Sequence, residues 1–547
     1  MNEYQYLAIS IGPIYATLQR ARRTRELWVT SYLFSRLMEL LYDQIESVAS
    51  EILAPFPPTQ KPKGLYGAGV YPDRLFAIIP DVSDEKISGI IKEAIKALTA
   101  ECLTPVRKNE IAEAIDFWEG YLRVEYLIFP SDLEGGSLLL ELNDRLDTLE
   151  LQPTYFEEEP KVNYLTVLLN DPYEAKIWDH LKSSGGSYRF LNGDNLFQRS
   201  IFPSTGILGT FELHEKDAEG FRKLYSKARE EALKEDVKED DQTLELLYQK
   251  LEKKQDNPFH SSVQPYHKYF CIVHADGDSF GKTLNSLTNN EAVKKFSEKL
   301  AGFAEQAADT INHFGGKPVY IGGDDLVFLA PVRSAVGTVF DCIQKLIAGF
   351  NAIPDLDPRP TLSFGVTITY YKYPLFEARD LSYGQLADRA KNFVRSNGKE
   401  KSAIGFRLLK HSLAYFEGII SGQHEQFEYL TGFTRTTESL PEAFLSSVMF
   451  KVDTLKPLFE TLAKEQDLTI EKLDALFENY FNEPIHRTYQ RQLGMVKQLI
   501  LAVFSDQPSI KADGVLIPVN RMENLYATLR ILDFISPKIQ PVYESVE

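Results

Sequence analysis

Apolar residues first gather in Tyr6-Leu7-Ala8-Ile9-Ser10-Ile11, closed by Gly12-Pro13. A short apolar run stopped by Gly and Pro reads as a buried strand. The period then changes. Leu27, Trp28, Tyr32, Leu33, Leu37, Leu40 and Leu41 recur at helical spacing and predict a helical region over about residues 14–53. Gly69 to Pro80 reads as a hairpin, residues 83–103 as a helix and Gly120 to Ile128 as a strand. After Phe129-Pro130, a helix runs through Leu138 to Leu149.

The pattern returns later in the chain. Tyr269 to Ala275 reads as a strand, Ala292 to Phe314 as a helix, and Tyr320 to Leu329 as two apolar strands around Gly322-Gly323-Asp324-Asp325. A helix from Ala335 to Phe350, a strand from Thr361 to Tyr371 and a helix through Leu386 and Ala390 to Val394 complete it. Both series run strand, helix, hairpin, helix, strand, Pro, helix. Aligning the hairpins sets Asp73 on Asp324, Arg74 on Asp325, Leu75 on Leu326 and Pro80 on Pro331; aligning Gly12 with Gly277 sets Ile11 on Asp276. The matching hairpin ends favour an internal duplication, although βαββαβ order recurs in unrelated proteins.

The expected fold is α+β: two ferredoxin-like βαββαβ domains of the palm type, a mixed middle domain and a helical C-terminal domain. The boundaries are 1–151 for a degenerate first palm, 152–267 for the middle, 268–408 for the second palm and 409–547 for the helical part. The alternating charges of Glu230 to Asp256 predict a solvated helix or helical hairpin. The chain reads as all helical from Leu408 to about Ala502, with one more helix from Arg521 to Ile535.

With 547 residues the chain is too long for one ordinary core. A net charge of -18 argues against a surface that coats nucleic acid throughout, but leaves room for a local basic groove or contact through partners. Cys102, Cys271 and Cys342 are too scattered for a zinc knuckle or a disulfide framework, so no zinc is expected. No signal-peptide pattern or bilayer-length apolar run occurs, so the expectation is a cytoplasmic chain with no membrane partner.

The chemistry centres on Asp324 and Asp325. Adjacent carboxylates at a hairpin tip repel unless a cation lies between them; an acidic turn facing solvent would give the same letters. Asp276, at the end of the first strand of the same βαββαβ unit, should approach the pair. Three carboxylates suit two Mg²⁺ (or Mn²⁺) ions handling a nucleoside triphosphate. Asp276, Asp324 and Asp325 are the candidate catalytic and metal residues, with Gly277 at the metal site. Candidate nucleotide contacts are Asp278, Ser279, Phe280, Gly281, Lys282, Gly322, Gly323, Lys391 and Lys399. Each lysine is equally readable as a surface residue. His274 reads as packed or bridging, and Arg20, Arg22, Arg23 and Arg25 as a nucleotide, RNA or partner contact or a plain charged helix face. Asp73, Arg74 and Glu125 are candidates for a second ligand pocket, or for simple ion pairs.

Asp276-Gly277-Asp278-Ser279-Phe280-Gly281-Lys282 with Gly322-Gly323-Asp324-Asp325 resembles the palm of G-G-D-E-F cyclases and of the large (Cas10) subunit of type III CRISPR effector complexes. Ile11-Gly12-Pro13-Ile14, the run Arg22 to Trp28, Ser31-Tyr32-Leu33 and Phe202-Pro203-Ser204-Thr205-Gly206 resemble its Cmr-type (type III-B) version. The resemblance covers nearly the whole chain. It implies two facing palms, partner subunits, guide and target RNA bound through the complex, and synthesis of cyclic oligoadenylate from ATP when target RNA binds. In that family Asp276, Asp324 and Asp325 would supply the metals, and the degenerate palm would hold a second nucleotide near Asp73 and Arg74. There are departures. No His-Asp dipeptide occurs, so the resemblance predicts no HD-type DNase, and the family's four-cysteine zinc site has no counterpart. Some nuclease-lacking relatives join AMP to S-adenosylmethionine, and acidic Asp73 and Glu125 would suit its sulfonium cation. A silent scaffold subunit and a stand-alone diguanylate-type cyclase are the readings from other classes.

Overall fold

The computed structural model describes residues 4–57, 68–151, 161–183, 202–234, 239–253, 257–354, 356–397, 401–436, 439–464 and 468–539. In its first sheet, β1 (Tyr4–Gly12), β2 (Glu51–Ala54), β3 (Arg74–Ile79) and β4 (Arg123–Ser131) lie in the order β2-β3-β1-β4. Strand β1 is central and antiparallel to both neighbours. Its side chains alternate between two cores. Leu7, Ile9 and Ile11 pack with Trp28, Leu33 and Leu37, whereas Tyr6 and Ala8 meet Leu138, Leu139 and Leu142. A strand covered on both faces needs an unbroken apolar run, which is how this one reads in the sequence.

The second sheet starts with β5 (Tyr269–Asp278), β6 (Lys317–Gly322) and β7 (Asp325–Pro331). A small ribbon, β8 (Arg333–Ser334) and β9 (Gly337–Thr338), precedes the helix Val339–Asn351. Then come β10 (Thr361–Tyr370), β11 (Phe393–Val394), β12 (Ala403–Leu409), β13 (Tyr415–Ser421), β14 (Ser509–Ala512) and β15 (Val515–Pro518). The main order is β13-β12-β10-β5-β7-β6, and β11-β14-β15 form a separate sheet. The four strands β6-β7-β5-β10 repeat the order β2-β3-β1-β4, so the duplication extends from element order to strand order.

Several expectations change. The helical region at 14–53 is two helices, Ile14–Leu18 and Thr24–Ile45, followed by β2. The expected hairpin at Gly69–Pro80 is one strand, β3, which lies between β2 and β1. The helix expected from Ala335 starts at Val339, where Asp341 accepts hydrogen bonds from the Thr338 N–H (2.8 Å) and hydroxyl (2.7 Å). The chain after Leu408 is not all helical. A boundary at 408 falls inside β12, and β13 extends the sheet to Ser421 because Ile419 and Ile420 find buried neighbours there. The charged region agrees with its helical expectation: it forms two helices, Ala218–Lys234 and Glu239–Glu252.

The strand register corrects the alignment of the two copies by one residue. Ile9 faces Leu75, and Ala275 faces Leu326. With Leu75 set on Leu326, the counterpart of Asp276 is therefore Ser10, not Ile11. A one-residue shift reverses the face of every side chain.

The two halves share a core. Phe270 and Ile272 of β5, with Val319, Leu329, Tyr371 and Leu375, belong to the cluster that contains Trp28, Leu33 and Leu75. Cys271, Val273 and Ala275, on the other face of β5, pack with Phe303, Ile311 and Phe340. The Phe202-to-Gly206 motif ties both palms to the middle region. Thr24 donates its hydroxyl hydrogen to the Pro203 carbonyl (2.7 Å), and Thr205 to that of Tyr371 (2.8 Å). No described helix is long and apolar enough to cross a membrane.

Candidate metal and nucleotide site

Strands β6 and β7 meet in a two-residue turn, with Gly322 opposite Asp325 in the ladder. Gly323, at the first turn position, has φ +81°, a conformation that favours glycine in tight hairpins. The turn presents Asp324 and Asp325 beside the end of β5. Carboxylate oxygens of Asp276, Asp324 and Asp325 lie within 4.8 Å of one another. Gly277 leaves room for this: a Cβ there would stand 2.5 Å from Asp324 Oδ2 and 2.1 Å from the Phe280 ring.

Asp325 is accessible from the cleft but ringed by protein. Loss of bulk solvent, then the charges of Asp324, Asp276 and Asp73, push its carboxyl well above the usual range. Burial and then Asp276 raise Asp324 to about 7, against a smaller lowering from Lys391 and the Gly277 N–H. Such a group holds protons in place of a cation. Its donors are all hard carboxylate oxygens, and the donor set fits Mg²⁺ or Mn²⁺.

Lys391 closes one side. Its Nζ lies 2.8 Å from Asp276 Oδ2 and 3.4 Å from Asp278 Oδ1, and it donates to the Gly277 carbonyl. Asp278 turns inward, 1% exposed. Its Oδ2 accepts from Thr361 Oγ1 (2.8 Å), Ser363 Oγ (2.8 Å) and the Ser402 N–H (2.9 Å). It anchors the end of β5 rather than lining the cleft, a correction to its expected nucleotide contact. The alternation Thr361-Leu362-Ser363 at the start of β10 is the sequence signal for those partners. Ser279 has φ +61° and begins the short helix Phe280–Ser286. Phe280 packs toward Phe296 and Phe350, with centroids 5.6 Å and 6.4 Å away. Gly281 and Lys282 are exposed. Lys399 lies outside the described residues.

A cavity of about 430 Å³ opens between the palms next to the carboxylates. Asp276, Asp325 and Tyr320 line it from the second palm, and Asp73, Ser31 and Tyr15 from the first. Burial, then Asp73, Asp325 and Asp324, push the Tyr320 hydroxyl far up, so it stays protonated. The expected second pocket is not assembled as a unit. Asp73 lines the shared cavity, but Arg74 turns to Asn143, Asp147 and Glu150 of the helix Gly135–Glu150. Glu125 sits opposite Ser10 in the ladder, outside the cavity lining. Buried His274, kept neutral by burial and then Arg379 (its pKa falls to about 3), lies 3.0 Å from Ser382 Oγ through Nδ1. Sequence reasoning missed Tyr15, Arg379 and Tyr383, whose place at the cavity depends on how the palms dock. Of the basic run, Arg22 stacks on Phe376 (4.2 Å) and Arg25 on Tyr173 (5.1 Å).

The carboxylate cluster and the repeated strand order coincide with a family match. Residues 269–403 match the family model described as Cas10/Cmr2, second palm domain. Over those residues the chain is similar to a Cas10/Cmr2 palm. Residues 6–104 match the model for the CRISPR-associated protein Cmr2, N-terminal, so the resemblance to the Cmr-type large subunit holds in both halves. The CRISPR system Cmr subunit Cmr2 of Pyrococcus furiosus is 27% identical over 178 residues. That match covers 28% of this chain and 20% of the relative, about a fifth of its length. The fold is similar to a chain in the structure of the type III-B Cmr-beta complex bound to cognate target RNA, with TM-score 0.60, 12% identity, and coverage of 97% of this chain and 83% of that one. The apo state gives TM-score 0.59, 13% identity, and coverage of 98% and 82%.

Proposed function

We propose that this Cas10/Cmr2-type chain is a nucleotidyltransferase that uses ATP to build a signalling nucleotide, cyclic oligoadenylate, as a subunit of a type III-B CRISPR complex. The observation that carries this reading is the meeting of Asp276, Asp324 and Asp325 within 4.8 Å, with Asp276 and Asp325 lining a cavity of about 430 Å³. Bound divalent cations would lower the pKa of an attacking ribose hydroxyl and neutralise charge on the leaving pyrophosphate. The chain's own residues prepare that chemistry. Asp324 and Asp325 release their shared protons when a cation replaces them. Lys391 holds Asp276 toward the pair, and Asp278 fixes the strand end. Partner subunits would bring guide and target RNA, and RNA binding would switch the site on. Intact carboxylates argue against a purely scaffolding role.

A second product is favoured by one observation: Asp73 lines the same cavity as Asp276 and Asp325. A carboxylate there, away from the metal cluster in sequence, would suit a cationic acceptor such as S-adenosylmethionine, giving an AMP adduct. The assembled complex, incubated with ATP, Mg²⁺ and target RNA with and without S-adenosylmethionine, should release pyrophosphate. Mass spectrometry then distinguishes the products. Replacing Asp324 and Asp325 together by Ala should cut synthesis at least ~10³-fold while leaving assembly intact. No pyrophosphate under any condition would refute the enzymatic reading.

A further inference from the structure

Lys391 stands on Asp276, and the chain just beyond it is gripped from the C-terminal part of the molecule. Lys391 belongs to the 3₁₀ turn Ala390–Asn392, which follows the π-wound turn Gln385–Arg389. Two successive changes of winding interrupt the regular helical ladder ahead of the lysine. On its other side the chain enters β11, where Phe393 and Val394 pair with Ile510 and Ser509 of β14. Phe393 is buried with Leu386, Ala403 and Ile419.

Asp506 closes the grip. Arg395 Nε donates to its Oδ2 (3.1 Å), and the Ser396 N–H (3.1 Å) and hydroxyl donate to its Oδ1. Hydrogen bonds to an ionised carboxylate are among the stronger ones. Only 11% of the Asp506 side chain is exposed, and the donors of Arg395 and Ser396 supply what water would. Burial works against its charge, but Ser396 and Arg395 outweigh it and hold the carboxyl below its usual range. Asp506 follows the helix Gln490–Ser505, whose Leu493, Val496 and Ile500 pack in the core with Phe427 and Leu430. The chain returns to β11 at Lys401, whose N–H donates to the Phe393 carbonyl (3.0 Å), and the Ser402 N–H reaches Asp278. The end of β5 is thus joined, through Lys391 and Ser402, to a stretch that Asp506 holds.

What the grip does follows from charge. The Lys391 ammonium lies 2.8 Å from Asp276 Oδ2, on a carboxylate that a divalent cation would share. Like charges repel, so the ammonium opposes cation entry. The backbone of Asp276 is fixed opposite Ser363 in the β5–β10 ladder, so the carboxylate stays at the cluster when the lysine leaves it.

We propose that Asp506 is a positioning residue: it latches the stretch beyond Lys391 and so keeps the Lys391 ammonium on Asp276, in competition with an incoming cation. The C-terminal helical part thereby sets how readily the carboxylates take up their metal. The proposal rests on the metal-site reading of Asp276, Asp324 and Asp325, and adds a residue outside the palm that tunes it.

The test is equilibrium Mn²⁺ binding to the full-length chain, read by electron paramagnetic resonance, for the unaltered protein, Lys391→Met, Asp506→Ala and the double variant. Lys391→Met should bind Mn²⁺ about tenfold more tightly. Asp506→Ala should tighten binding about threefold or more, yet change it by less than about twofold in the Lys391→Met background. The sign discriminates, because losing a carboxylate that acts only through space would weaken cation binding. Asp506→Glu should return the affinity toward that of the unaltered chain. Should Asp506→Ala fail to fold, the same cycle with Ser396→Ala, which removes a donor and no charge, takes its place. Weaker or unchanged Mn²⁺ binding in Asp506→Ala, or an equal effect in both backgrounds, overturns the latch and leaves the metal site standing. An unaltered chain that binds no Mn²⁺ overturns both.

Discussion

At the residue scale, the carboxylate cluster makes a claim about protons. Asp324 titrates near 7 in the folded chain, against 3.8 for the free group. The folded state therefore binds an extra proton between those values, and folding stability falls as pH rises through that window. In chelator, the melting temperature of the unaltered chain should drop between about pH 4 and pH 7 relative to Asp324→Asn, which mimics the protonated side chain. Added Mn²⁺ should recover the loss in the unaltered chain and much less of it in the variant. Parallel melting curves for the two proteins would show that Asp324 is not held in this environment. The trio itself was legible in the sequence, since two adjacent acids after Gly-Gly and an acid at a strand end are local signals. The inward turn of Asp278 was less so, because it depends on Thr361, Ser363 and Ser402.

At the scale of elements, the two βαββαβ units show how one framework can carry different side chains at the same three positions. By strand register Ser10, Asp73 and Arg74 occupy the positions of Asp276, Asp324 and Asp325. Only Asp73 of the three is a carboxylate, and the guanidinium of Arg74 turns to the helix Gly135–Glu150. Arg74 pairs with Asp147 and Glu150 on the helix Gly135–Glu150, and Ser10 donates to Glu150. The first palm thus carries its own internal cation. Arg74→Met should cost about 1 kcal/mol in urea unfolding, since Asp147 and Glu150 are partly exposed and solvent screens the pair. Mn²⁺ binding at the second palm should not change; a weaker Mn²⁺ affinity would mean that the two sites are linked. Element order was readable from hydrophobic period, and so was the duplication. Register was not, because a slip of one residue leaves the apolar run of β1 looking the same when both of its faces are buried. The strands after Leu408 were missed for a related reason. Ile419 and Ile420 are both buried, so β13 lacks the alternation that separates a strand from a helix.

At the scale of the whole molecule, the palms are held together at the edge of the second sheet. Strand β6 is that edge, and first-palm residues cover it. The Ile321 N–H donates to the Gly69 carbonyl at 2.9 Å, and Ser31 Oγ donates to the Val319 carbonyl at 3.2 Å. Capping an edge strand in this way satisfies backbone groups that would otherwise face solvent or another chain. It also ties β6 to the palm whose Asp73 and Tyr15 line the opposite side of the cavity from Tyr320 and Asp325. Gly69 is closely packed within the first palm. A Cβ there would stand 2.7 Å from Ser35 Cβ, and Ser35 Oγ in turn accepts the Tyr71 N–H at 2.9 Å. Gly69→Val should therefore push the chain at Gly69 off the helix Thr24–Ile45 and displace the carbonyl that accepts from the Ile321 N–H. The β5–β7 ladder that assembles the carboxylates lies within the second palm and does not depend on Gly69. Mn²⁺ affinity should consequently stay within about twofold, while turnover of ATP in the assembled complex falls at least ~10-fold because the opposite wall has moved. Loss of metal binding together with turnover would mean that the first palm shapes the carboxylate cluster itself. Unchanged turnover would mean that the cavity between the palms is not where the nucleotide is held.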